Sequence, residues 1–292
     1  MSVDWNRLDL ERAWPLDQVP AGKRPLMRIR DLNKRFGPRH ILRGIDLDVY
    51  QGETLVILGG SGSGKTTLIR HILGFLRSDA GSVTVRLDDS REMNLNAADD
   101  REMGLWRRKL GVVFQGAALL NSLTILENVG LPLIEVDQLP SGQVRARVIK
   151  ALKQVFLPAE EILNLKPASL SGGMRKRVGI ARAIIQNPSV ILYDEPTTGL
   201  DPVTVNGVNE LTMALQRSIG VTSIVITHDL GAAFMIADRI AMLYKGRIIA
   251  CGTPDAIRAN PHPVLQQLLT GSTTGPLTEA YIEQNKPAGG VA

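Results

Sequence analysis

The sequence predicts an α/β fold in which a parallel sheet is built around a phosphate-binding loop, flanked by antiparallel strands and interrupted by a mainly helical insert. Three observations predict it. A glycine-rich loop, Gly59 to Thr67, lies between a short apolar run, Glu53 to Leu58, and a helix-like run, Leu68 to Leu73. Two further apolar runs, Ser189 to Pro196 and Thr222 to Ile226, end in polar residues, as strands do where an open parallel sheet gathers its ligands. Alternating runs at Met27 to Arg30, Ile41 to Val49 and Ser82 to Leu87 have the two-residue period of half-exposed strands.

The composition is that of an ordinary globular chain. The 292 residues are 44% hydrophobic and 22% charged, enough for a sizeable core. A lone cysteine, Cys251, excludes an internal disulfide and reads as a small buried residue in a reducing compartment. The first twenty residues scatter Asp4, Asp9, Glu11 and Asp17 among apolar positions, unlike a secretory signal, and no window is apolar enough to span a bilayer. Any membrane role is therefore expected to come through a partner. The net charge of +5 permits contact with nucleic acid, but the basic residues are dispersed. Their small clusters, Arg107-Arg108-Lys109 and Arg175-Lys176-Arg177, read as solvated faces without a stacking platform, so no nucleic acid is expected.

Taken in order, residues 1–25 form an extension with Trp5, Trp14 and no clear period. Between the first two alternating runs lies Arg35-Phe36-Gly37, where Phe36 is either a packing aromatic in a turn or a flat face for a base. Gly59-Gly60-Ser61-Gly62-Ser63-Gly64-Lys65-Thr66-Thr67 matches G-x-x-x-x-G-K-[ST] throughout. Its glycines allow a nest of inward N–H groups at a helix N-terminus, so polyphosphate is the expected guest, with Lys65 on the outer phosphates and Thr66 on Mg²⁺. From about residue 88 to 168 the texture turns polar and helical, around Leu105 to Leu110 and Val144 to Phe156, with breaks at Pro132, Pro140, Pro158 and Pro167. Within it, Gly111 to Gln115 reads as a strand ending in an amide that a hinge can bring to a metal. Leu170-Ser171-Gly172-Gly173 opens an amphipathic helix, Arg175 to Ile185, with Ser171 as N-cap; it is either a plain helix start or a second anion nest, completed across a two-fold pair of subunits. Asp194 and Glu195 leave a strand on opposite sides, which suits one to a Mg²⁺ shell and the other to the attacking water. His228 leaves the next strand, Asp229 starts a helix, and Arg239 to Gly252 reads as a hairpin turning at Lys245-Gly246.

The ordered set Gly59 to Thr66, Gln115, Leu170 to Gly173, Asp194-Glu195, Gly199-Leu200-Asp201 and His228 closely resembles the ATP-binding subunit of ABC transporters, over about Met27 to Leu269. The resemblance implies a RecA-like phosphate-loop core at residues 26–270 with an antiparallel β-subdomain, a helical insert at about 88–168, and a tail at 271–292. It implies ATP and Mg²⁺ as ligands, with Phe36 on adenine, Gly59 to Thr67 on the phosphates, and Thr66, Gln115 and Asp194 on the metal. It makes Glu195 the catalytic base, His228 and Gln115 its partners in catalysis, and Asp201 the D-loop. Ser171, Gly172 and Gly173 then close over the ATP of a second subunit.

Finer features are similar to the ATPases of Mla/MCE-type phospholipid transporters: Met174 in place of the usual Gln, the runs Phe114 to Leu120 and Glu127 to Leu133, and G-x-x-x-G-P from Gly271 to Pro276. That likeness implies a homodimer on the cytoplasmic face of the inner membrane, under permease subunits, with an MCE-domain lipid carrier and, in some systems, a STAS-domain protein. The residues leave three alternatives: the ATPase of another ABC importer, such as one for polar amino acids; a soluble ABC ATPase acting on nucleic acid; and a non-hydrolysing nucleotide sensor, disfavoured by Glu195 and His228.

Overall fold

A computed structural model describes residues 23–278, so the expectations for Trp5, Trp14 and most of the tail fall outside the described residues. Two sheets organise the chain. The first is antiparallel, in the order β2-β1-β4-β5, from β1 (Pro25–Phe36), β2 (Arg39–Tyr50), β4 (Ala80–Arg86) and β5 (Glu92–Asn94). The second has the order β10-β9-β3-β8-β7-β6, from β3 (Thr54–Leu58), β6 (Leu110–Val113), β7 (Val190–Asp194), β8 (Thr222–Thr227), β9 (Arg239–Tyr244) and β10 (Arg247–Gly252). The pairs β9–β3, β3–β8, β8–β7 and β7–β6 are parallel, and β10 joins through the expected hairpin at Lys245-Gly246.

The strand β3 is central and buried at every residue, which is why it reads as one apolar run rather than an alternating one. Its alternation still separates two cores. Val56 and Leu58 pack with helices on one face, while Leu55 and Ile57 pack with the antiparallel sheet and two helices on the other. The helices on the antiparallel-sheet side are α1 (Lys65–Ile72) and α2 (Asp100–Arg108), the latter closed by an Asp99–Glu102 capping box. Trp106 of α2 is fully buried and donates through Nε1 to the Ile72 carbonyl at 2.8 Å, fastening α2 to the end of α1.

The opposite face is covered by α3 (Ile125–Glu135), α4 (Ser141–Gln154), α5 (Ala159–Ile162), α6 (Gly172–Ile184), α7 (Pro202–Ile219) and α8 (Leu230–Ile236). Beyond β10 lie α9 (Pro254–Ala259) and α10 (Pro263–Thr270). No helix among the described residues is long and apolar enough to cross a membrane.

Three expectations change here. The stretch 88–168 holds one strand beyond those expected, β5, which completes the antiparallel sheet; the strand expected at Gly111 to Gln115 is β6 at the edge of the parallel sheet, and the helices, α2 and then α3 onward, continue beyond 168 into α6. Pro132 does not break the chain but lies inside α3, where only one ladder bond is forfeited. By contrast Pro140 and Pro158 stand at helix N-caps, and Pro167 opens a 3-10 turn. The cluster Arg175-Lys176-Arg177 is not a solvated face throughout, since Lys176 is buried.

Candidate functional site

The loop Gly59–Gly64 joins the carboxyl end of β3 to α1, whose N-terminus has no side-chain cap and so leaves its first N–H groups for a guest. A Cβ at Gly60 or Gly62 would point into open space, so the backbone there stays bare for a ligand. Gly59 is different, because a Cβ would come within 2.6 Å of the Leu243 carbonyl of β9. The loop is braced from behind by the β9–β10 hairpin: Gly246 donates to the Ser63 carbonyl at 3.0 Å, while its own carbonyl accepts from Arg43 of β2 at 2.9 Å. Ser63 Oγ is buried without a hydrogen-bond partner, an orphaned polar atom inside the cradle.

Lys65 turns back on its own loop, donating to the Gly59 carbonyl at 2.7 Å and the Gly60 carbonyl at 3.1 Å. Its Nζ stands 3.8 Å from Glu195 Oε1. Around it opens a cleft of about 800 Å³ lined by Gly60 to Thr67, Gln115, Asp194, Glu195 and His228, with Ile41 and Leu268 at its edge.

The carboxylates come from the end of β7. Asp194 is its last residue and partly buried, so its carboxyl is pushed up, first by desolvation and then by Glu195, with Lys65 and Lys176 opposing. Glu195 follows in a left-handed conformation, φ 48°, with its N–H donating to the Ile226 carbonyl at 2.8 Å. That sharp exit turns its carboxylate away from the strand. Glu195 Oε2 lies 2.8 Å from His228 Nδ1 and accepts from Thr198 Oγ1 at 3.3 Å. Non-glycine residues hold such backbone only where the surroundings over-determine it, and functional sites are where they cluster.

The arrangement can take a polyphosphate and a hard cation. The N–H nest, the bare glycines and the Lys65 ammonium line the cleft where phosphate oxygens would sit. For Mg²⁺ the fit rests on donor chemistry: Asp194, Thr66 and Gln115 each offer a side-chain oxygen at the same cleft. No group of three His, Cys, Asp or Glu among the described residues would hold a metal unaided, which suits an ion whose shell is completed by water and substrate phosphate.

The other expected residues stand outside this cleft. Ser171, Gly172 and Gly173 form the N-terminus of α6, with Ser171 Oγ accepting from the Met174 N–H at 3.2 Å, the N-cap the sequence implies. Asp201 caps α7, accepting from Thr204 N at 3.0 Å and Thr204 Oγ1 at 2.5 Å. Phe36 ends β1 rather than lying in the turn proper; 46% of its surface is exposed, and Lys34 Nζ stands 5.7 Å from its ring centre.

Sequence reasoning missed Lys176, whose ammonium donates to the Gln115 carbonyl and whose pKa is lowered by burial. A signal was present. Counting from Lys176, Ile180 and Ala183 fall on the same buried face of α6, so helical periodicity already turned it inward.

Comparison with known proteins places these features in a lineage. Residues 42–198 match the ABC transporter family. The chain is 36% identical to a methionine import ATP-binding protein of Mesorhizobium japonicum, over 94% of this chain and 73% of that protein. It is likewise 36% identical to the ATP-binding protein of the intermembrane phospholipid transport system of Escherichia coli, over 88% of this chain and 93% of that protein. Among solved structures, a dimeric ATP-binding cassette in a post-hydrolysis state with ADP and Pi matches with a TM-score of 0.69 at 35% identity, covering 78% of this chain and 98% of that one.

Proposed function

The chain belongs to the ABC transporter family of ATP-binding proteins and is an ATP hydrolase, and from that premise we propose that it drives phospholipid transport between membranes of the cell envelope. The observation that carries the finer reading is the G-x-x-x-G-P turn that follows α10. Gly271 ends α10 at φ 63°, and Gly275 at φ 145° leaves no room for a Cβ, which would stand 2.7 Å from Gln267 Oε1. Gln267 holds the turn by accepting from Leu277 N at 2.7 Å and donating to Ser272 O at 3.1 Å. Both glycines of G-x-x-x-G-P are thus demanded by a folded turn rather than by a loose tail.

In this reading Phe36 carries the adenine, the 59–67 loop cradles the phosphates, and Lys65 exchanges its carbonyl contacts for phosphate oxygens. Thr66, Asp194 and Gln115 would hold Mg²⁺, which when bound would supply positive charge against the phosphate oxygens. Glu195 accepts the proton of the attacking water as its oxygen bonds to phosphorus and the bridging P–O bond breaks. His228 fixes the Glu195 carboxylate and faces the terminal phosphate. Ser171, Gly172 and Gly173 of a second copy close the site, with Asp201 beside it, so the active form is a homodimer, as in the dimeric relative. Permease subunits at the cytoplasmic face of the inner membrane receive the motion, with an MCE-domain lipid carrier and a STAS-domain protein as further partners.

Purification of the chain with its partners from native membrane tests this. Co-purifying phospholipid and an MCE-domain protein support the proposal; a periplasmic solute-binding protein in their place assigns the chain to a solute importer.

A further inference from the structure

One stripe of α6 closes on the loop that follows β6. Lys176 donates to the Gln115 carbonyl. Three residues on, Gly179 lies against Ala117, where a Cβ would stand 3.2 Å from the Ala117 Cβ. Three further on, Arg182 donates through Nη2 to the Ala117 carbonyl and through Nη1 to the Ala118 carbonyl, each at 2.7 Å. The loop so held is strained: Ala117 and Ala118 follow one another in the left-handed region, at φ 61° and 47°. Side chains other than glycine rarely adopt that region, and such backbone persists when its surroundings impose it. Here the surroundings are two cations and a glycine from a single helix. Lys176 is only 6% exposed, a placement that costs a lysine its hydration and is repaid by the carbonyl and by the nearby Asp194 and Glu195 charges.

The same helix begins at Ser171. Gln115 lines this chain's own nucleotide cleft, whereas Ser171 lies outside it. We propose that Lys176 and Arg182 bind α6 and the 115–118 loop into one rigid unit, and that Lys176 is a positioning residue coupling the two nucleotide sites of the dimer. The inference rests on the homodimer proposed above and adds the path by which one site is felt at the other. Movement of Gln115 toward its own nucleotide is carried by the Lys176 bond onto α6. Ser171 lies five residues away, about 7.5 Å along the helix axis, with no flexible joint between. Binding at one site thereby presets the surface offered to the next, which is cooperativity through a shared rigid element.

The test uses the full chain, both alone and in its assembled transporter. Lys176→Met keeps the apolar stem and removes the donor, Lys176→Arg restores one, and Arg182→Lys weakens the other arm. Nucleotide affinity of the isolated subunit, read with a fluorescent ATP analogue, is expected to stay at the wild-type value in Lys176→Met. The Hill coefficient of ATP hydrolysis is expected to fall from near two toward about one, two being the limit for two sites. ATP-dependent pairing, measured in a Glu195→Gln background, should weaken roughly 3- to 30-fold, and Lys176→Arg should recover both. Should Lys176→Met fail to fold, judged by its melting curve, Arg182→Lys must show the same split. Unchanged cooperativity and pairing in the variants overturn the proposal, as does a wild-type Hill coefficient of one. If the Glu195→Gln chain with Lys176 intact does not pair in ATP at all, it is the dimer reading itself that fails.

Discussion

Glu195→Gln isolates the proposed chemical step from everything else the residue does. The substitution is isosteric, so the left-handed backbone at φ 48° and the 2.8 Å bond from its N–H to the Ile226 carbonyl are untouched. Stability should stay within about 1 kcal/mol of wild type. The amide oxygen can still face His228 Nδ1, now 2.8 Å away. The Lys65 contact at 3.8 Å is lost as an ion pair, worth at most about 1 kcal/mol for partly solvated groups. Removing an anion beside the phosphate cradle should not weaken ATP binding. What disappears is the proton acceptor, a term of about 10²- to 10⁴-fold, or roughly 2.7–5.4 kcal/mol of barrier. Phosphate release by the complete transporter in lipid should fall by that factor, while size-exclusion chromatography with ATP shows a dimer that persists instead of turning over. Turnover within about threefold of wild type would place the base elsewhere and refute the assignment.

Ser171→Arg puts a bulky cation at the exposed N-terminus of α6, outside this chain's own cleft. Equilibrium binding of ATP to the single subunit should survive it, whereas hydrolysis and ATP-dependent pairing should vanish. Phe36→Ala removes the exposed ring at the end of β1 and should weaken ATP binding by about 1–3 kcal/mol, the usual worth of an aromatic under a base, with no loss for inorganic triphosphate. Arg239→Met strands a carboxylate: Glu53 is fully buried and accepts from Arg239 Nη1 at 3.1 Å. Denaturant melts should show a loss of about 3–5 kcal/mol, the cost of an uncompensated buried charge. Replacing Glu53 by Gln in that background should return part of it.

The parts legible in the sequence were those whose chemistry is local. The phosphate loop announces itself because glycine, lysine and threonine are required at fixed offsets, and β3, β7 and β8 because buried parallel strands are continuous apolar runs. The N-caps at Ser171 and Asp229 followed from the same local logic. What escaped depended on distant partners. β5, three residues long, is a strand only because β4 lies beside it, whereas the strand expected at Gly111 to Gln115 is present as β6. Lys176 hides in a basic triplet whose neighbours face solvent, and its burial is set by a carbonyl sixty-one positions away. Pro132 shows the converse, a strong local breaker overruled by the packing of Val129 and Leu133 into the core.

The brace behind the phosphate loop has a metrological consequence. Gly246 can only be glycine, since at φ 79° a Cβ would fall 2.2 Å from the Ile41 carbonyl. Through it, the backbone of β2 at Arg43 is tied to the backbone of the loop at Ser63, and β2 pairs directly with the strand that ends in Phe36. If a base rests on Phe36 and phosphates at the 59–67 loop, as proposed above, their separation is then a dimension of the backbone itself, held by main-chain bonds rather than by side chains that could give way.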